Sequence, residues 1–129
     1  MPWLLKICPS AIVGGLTGRG PQDLLLPIAL EIEAAIHKLT EPILGLDPDK
    51  RKCFDLLLPP FISQLLIDLS MDTKFPTAIN DFYTNFTRAF KINKWVGQWW
   101  KATCGMAQGC SASIIGINAL MSVWSDTCN

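Results

Sequence analysis

From Pro27 the apolar positions Ile28, Ile32, Ile36 and Leu39 recur at steps of four, four and three, with Glu31, Glu33 and Lys38 between them. The spacing predicts an amphipathic helix that opens on Pro27, a good first-turn residue, and ends before Pro42. The turn Asp47-Pro48-Asp49 then leads into a short helix through Cys53, Leu56 and Leu57, closed by Pro59-Pro60. Phe61, Ile62, Leu65, Leu66 and Leu69 follow as one wide apolar stripe, again with Pro at the helix start. Both stripes are most simply read as core. After a break at 72–76, Ala78, Phe82, Phe86 and Phe90 resume at four-residue steps, which argues a fourth helix. Cys110, Ile114, Ile117, Met121 and Trp124 mark a last helix that stops near Asp126. Residues 9–23 carry Gly14, Gly15, Gly18, Gly20 and Pro21, too much glycine and proline for a regular element. Sustained period-two alternation is absent, so strands are expected to be few and short. The predicted fold class is all-α: a compact bundle of five or six short helices, one helical domain over 1–129, with an irregular Gly-rich N-terminal arm pinned by Cys8.

Length and composition narrow the function classes. A chain of 129 residues, 50% hydrophobic and 17% charged, can bury a core of its own and falls below the roughly 25% charged residues of an ordinary soluble domain. That apolar, weakly charged composition excludes disorder, and the balance of eleven bases against eleven acids argues against a nucleic-acid partner, whose binding domain would carry a basic excess. The charge is uneven: residues 1–72 hold six bases and nine acids, and 73–129 hold five and two. The two halves are weakly complementary and could pack on each other.

The candidate chemistry is sparse. The Gly-rich arm could pass for a phosphate loop, but Pro21 and Gln22 stand where Lys and Ser/Thr are needed. His37 lies four residues from both Glu33 and Glu41, a spacing that on a helix could hold a metal or a general base. The simpler reading is a solvated face with weak Glu-to-His pairs. Asp47, Asp49 and Asp55 lack the Gly and terminal Glu of a calcium loop, and a Gly-x-Ser-x-Gly elbow for a serine hydrolase does not occur. The chain therefore reads as non-enzymatic, with neither cofactor nor metal. The segment 91–101 is more informative, because it interleaves Trp95, Trp99 and Trp100 with Lys91, Lys94 and Lys101. Read as a helix, it would place Trp95 and Trp99 on one face. Rings flanked by ammonium groups suit a bilayer interface or an amphipathic ligand. Residues 102–124 carry no charge over 23 positions, long enough to span a membrane. Only eight of the 23 are Ile, Leu, Met, Val or Trp, which favours a buried central helix, and Gly105, Gly109 and Ser113 form a small-residue ridge for close helix contact.

Five cysteines, Cys8, Cys53, Cys104, Cys110 and Cys128, show no zinc-ligand spacing. Two lie near the chain ends, where disulfides would hold the termini in an oxidising compartment and leave one thiol over. The alternative is five reduced, buried thiols in a cytoplasmic protein. The start of the chain lacks the uninterrupted apolar core of a signal sequence, and Asn85-Phe86-Thr87 is a glycosylation triplet. The run from Asp47 to Pro60 resembles a motif of the Frizzled-type cysteine-rich domain: a Pro-containing turn, a cysteine, an apolar run and Pro. Cys104, Cys110 and the Trp124-Ser125-Asp126 that precedes Cys128 are similar to that family's C-terminal pattern, which has Trp-Pro-Asp. The resemblance implies the pairs Cys8–Cys53 and Cys104–Cys128, with Cys110 left over. It also implies a secreted, non-enzymatic ectodomain with an apolar groove for a fatty-acyl or sterol group. The chain departs from the family in having fewer cysteines and a longer 61–103 region.

The functional expectation is a secreted or extracellular binding module that offers an apolar groove to a lipid-like ligand or lipidated protein, with Phe86, Phe90, Trp95, Trp99 and Trp100 facing the ligand. Two alternatives stand beside it: a membrane-active toxin that inserts the uncharged C-terminal helix, and a helical homodimeric interaction or signalling protein.

Overall fold

The computed structural model describes residues 2–38, 40–45 and 51–128. Its five helices are α1 (Pro2–Ile7), α2 (Gln22–Ile36), α3 (Pro59–Asp68), α4 (Lys74–Asn85) and α5 (Ser111–Cys128). Between α4 and α5 run four short strands, β1 (Thr87–Arg88), β2 (Lys91–Ile92), β3 (Trp95–Val96) and β4 (Trp100–Lys101). The all-α expectation is thus corrected. β1 pairs antiparallel with β4 and β2 with β3, and together the two small sheets form one hairpin folded about Asn93-Lys94. Its register changes midway: Arg88 faces Trp100, but Lys91 faces Val96, so the return strand carries one residue more. That extra residue sits by Gly97, whose N–H donates to the Phe90 carbonyl at 2.8 Å, as in a β-bulge. Asn93 takes the left-handed φ of 55° that the tight turn requires.

α3 is the centre of the packing, with α4 on one side and α5 on another, and α1 lies against α5. The prolines Pro59 and Pro60 occupy the first two positions of α3, where their missing N–H groups cost nothing. Ile62 and Leu66 are fully buried in a core that also holds Leu4, Leu57, Ile79, Tyr83, Met106, Ile115 and Ala119. Of the predicted stripe, Phe61 is exposed instead. α3 ends in a Schellman motif: Met71 N–H reaches back to the Leu66 carbonyl at 3.0 Å, and Ser70 N–H to Ile67 at 2.8 Å. Ser70 has φ of 64° there, a conformation that glycine adopts without steric cost. Ser70→Gly is expected to raise stability by roughly 0.5–1 kcal/mol, read as a higher urea midpoint at unchanged slope.

The phases of two helices differ from those expected. α4 buries Pro76, Ile79 and Tyr83, leaving Ala78 and Phe82 outward. Phe82 stacks on Phe86 at 5.1 Å between centroids, just past the helix end. α5 buries Ser113, Ile115, Gly116, Asn118, Ala119 and Ser122, mostly small residues. The stripe expected inside is only half-buried at Ile114, Ile117 and Met121, and Trp124 is exposed. Small side chains win the inner face because α3 lies so close: a Cβ on Gly116 would stand 2.8 Å from Ile62 Cγ2. The small-residue ridge is therefore not the expected one, since Gly105 and Gly109 precede the helix with φ of 91° and 81°.

The N-terminal arm is irregular, as its glycines dictate, but tightly held. The Arg19 guanidinium donates to the carbonyls of Cys8, Pro9 and Ile12, and the buried Asn118 of α5 donates to the Gly14 carbonyl at 2.8 Å. Cys8 pins the arm as a thiol, buried with its Sγ 3.9 Å from the Asn118 carbonyl oxygen. All five cysteines are free, and neither Cys8–Cys53 nor Cys104–Cys128 is at bonding distance.

The largest departure concerns α2. It begins five residues before Pro27, which sits inside it, and buries none of its residues. Ile28, Ile32 and Ile36 are 49%, 48% and 71% exposed, so this stripe is not core. Leu39, like Asp47, Pro48 and Asp49, lies outside the described residues. Among the described residues no helix is long and apolar enough to cross a membrane.

Candidate functional site

The Trp/Lys segment that was read as a helix is the hairpin. Lys91-Ile92 and Trp95-Val96 flank a two-residue Asn-Lys turn, and Ile92, Trp95 and Val96 are β-prone. Directly paired residues share a face. Ile92 and Trp95 are one such pair and Arg88 and Trp100 another, while Lys91 and Val96 take the opposite face at the tip. Period-two alternation sets Phe90 with Arg88 and Ile92, and Phe90 packs on Trp100 at 6.2 Å between ring centroids.

At the root of the hairpin, Arg88 organises the site. Its guanidinium carbon lies 5.5 Å from the Phe86 ring centroid and 5.8 Å from that of Trp100, a cation–π contact on each. One Nη donates to the Gly105 carbonyl at 3.2 Å, while Nε is buried without a partner among the described residues. A buried N–H donor left unpaired is costly. Gly105 can stand this close only as glycine: its φ is 91°, and a Cβ would meet the Asp55 carbonyl oxygen at 2.9 Å. The Gly105 and Met106 N–H groups donate to the carbonyls of Leu57 and Phe54, which ties the wall of the site to the segment before α3.

Two adjoining cavities open at this root and share Arg88 and the wall 101–105. One, of about 280 Å³, runs over Pro59, Pro60, Tyr83 and Phe86. The other, of about 570 Å³, runs past Trp100, Leu56, Lys52 and Asp55. The smaller is walled mainly by prolines and aromatic rings, whereas the larger is mixed, with Lys52, Arg88, Lys101 and one acid, Asp55, beside Leu56 and Trp100. Pockets of this size and composition suit small amphipathic ligands.

The five expected ligand-facing residues are thus divided. Phe86 and Trp100 line the cavities, whereas Phe90, Trp95 and Trp99 are 73%, 82% and 66% exposed along the hairpin and line neither. Sequence reasoning missed Arg88, whose signal was its two-residue offset from Phe86 and Phe90. His37 does not join Glu33 and Glu41 on one helical face, because α2 ends at Ile36 with His37 as its C-cap. Among the described residues no three His, Cys, Asp or Glu side chains gather as a metal site.

A second polar cluster lies beneath the smaller cavity. The buried Tyr83 hydroxyl accepts from Ala107 N–H at 3.1 Å and lies 3.1 Å from Ser113 Oγ, which itself donates to the Ala107 carbonyl at 2.7 Å. Cys110, at the start of α5, has its thiol pKa lowered, chiefly by the Tyr83 hydroxyl and further by the N–H groups of Ala112 and Ser113, with burial opposing. Burial pushes the Cys8 thiol the other way, against Arg19. No protein-family profile, curated protein or solved structure matches this chain.

Proposed function

We propose that the chain is a non-enzymatic binding module for an amphipathic, lipid-like ligand with an anionic head, held at the root of the hairpin. The observation that carries this reading is Arg88: a cation in contact with two aromatic rings, on the wall shared by a mainly apolar cavity and a more polar one. The head group pairs with Arg88 and Lys101, and the tail lies over Phe86, Pro59 and Pro60. Charge-assisted pairing supplies orientation, and apolar burial supplies most of the affinity.

The test is equilibrium titration with a fluorescent fatty-acid analogue, kept below its aggregation concentration and displaced by unlabelled fatty acid. Saturable binding at micromolar concentration is expected. Arg88→Gln is expected to weaken it about tenfold or more, the size of a lost charged hydrogen bond. Absence of saturable binding, or indifference to Arg88→Gln and Phe86→Ala, overturns the reading.

A further inference from the structure

The outer half of the hairpin has no role in the cavities, yet it concentrates the most exposed aromatic surface of the described chain. Phe90, Ile92, Trp95 and Trp99 are 66–82% exposed. Among the described residues the strands make their substantial contacts only with one another, so no described helix packs substantially on them. Along this stretch of the chain the charge has one sign. From Phe82 to Ser125 the sequence holds Arg88, Lys91, Lys94 and Lys101 and not a single acid. A projecting finger with apolar rings at its tip and ammonium groups beside them does not offer a concave seat for a peptide. It fits an apolar phase that deforms around it and presents negative charge at its boundary.

We propose that residues 90–99 form an anchor for an anionic lipid bilayer surface. Trp95 and Ile92 enter the headgroup and upper acyl region from one face of the hairpin. Trp95 and Trp99 place their indoles at the interface, where amphipathic rings partition best. Lys91 and Lys94 stay at headgroup level on their long stems and pair with lipid phosphates and carboxylates. Insertion is shallow and in-plane, since the hairpin is a few residues deep and carries cations on both strands. The acidic side chains of the exposed apolar helix, Asp23, Glu31 and Glu33, make α2 the wrong element for such a surface and leave the hairpin as the point of attachment. This inference rests on the ligand reading only in giving that module a place to exchange its ligand; its geometry is separate, and so is its test.

The full chain is mixed with unilamellar vesicles of phosphatidylcholine alone or with phosphatidylserine added, and binding is read by co-sedimentation and by tryptophan quenching from brominated lipids. Binding is expected to the serine-containing vesicles, with quenching, and to fall in high salt. Trp95→Ala is expected to reduce partitioning about tenfold, and Lys91→Gln and Lys94→Gln about fivefold each on anionic vesicles only. All three positions are exposed, so the variants keep the far-ultraviolet circular dichroism of the parent. Retention of fatty-acid probe binding by Trp95→Ala, and of vesicle binding by Arg88→Gln, separates anchor from ligand site. Failure to sediment with anionic vesicles overturns the proposal, as does binding that ignores lipid charge or survives Trp95→Ala. A doubled solution mass abolished by Trp95→Ala also overturns it, because a second copy then covers the finger.

Discussion

Ile62→Ala should lower the free energy of unfolding by about 2–5 kcal/mol, a large part of the total stability of a domain this size. Ile62 is completely buried in α3, and its Cγ2 lies where a side chain on Gly116 of α5 would have to go. Truncation leaves a void at a close contact between α3 and α5, and α3 cannot shift to close it without disturbing α4, which packs on it as well. Ile32→Ala, an equally apolar change on α2, is expected to cost less than about 1 kcal/mol, because Ile32 is half-exposed and, among the described residues, no other helix or strand packs substantially on its helix. Urea unfolding of the two variants under the same conditions checks the contrast. Equal losses would mean that α2 is packed in solution and that the core extends over it.

The same pair of residues shows how far the amino-acid sequence discloses the fold. Ile62, Leu66 and the double proline ahead of them were legible because hydrophobic periodicity, helix-start chemistry and burial agree. Ile32 satisfies the same periodicity and stays outside, since a stripe says which face would be buried without saying what covers it. α5 fails in the opposite sense. Its large residues announce a face 114–117–121–124, but helices that approach closely need small ones, and Ser113, Gly116 and Ala119 carry no hydrophobic signal of their own. The hairpin is hidden in the sequence because each of its strands is two residues long, too short to show alternation, while Trp95 and Trp99 stand at a helical spacing. The rings themselves were identified as chemically significant from their company of lysines. Their division into a cavity wall and an exposed finger required the register, and Arg88 became visible as the organising cation only once Phe86 and Trp100 both lay within reach of its guanidinium.

Tyr83→Phe is expected to act on two observables at once, stability and the reactivity of Cys110. The hydroxyl accepts the Ala107 N–H; the Ser113 proton is committed to the Ala107 carbonyl, so the Tyr83 proton points toward Ser113 Oγ or the Cys110 sulfur. Removing the oxygen strands the Ala107 donor in a buried setting, at a cost of about 1–3 kcal/mol. It also removes the chief cause that lowers the Cys110 pKa. The thiolate is the reactive form, and a hydrogen bond to it favours ionisation. In the parent protein, Cys110 alkylation by iodoacetamide therefore turns on at a lower pH than an ordinary thiol, and in Tyr83→Phe the turn-on moves upward, so the rate near neutral pH falls. Cys8, buried and shifted in the opposite direction, stays unlabelled over that range in both proteins. Peptide mass spectrometry after pulses at several pH values reads each cysteine separately. An unchanged Cys110 profile in Tyr83→Phe would assign the lowered pKa to the N–H groups of Ala112 and Ser113 at the start of α5, and a lost circular dichroism spectrum would show that the fold as a whole depends on the Tyr83 hydroxyl.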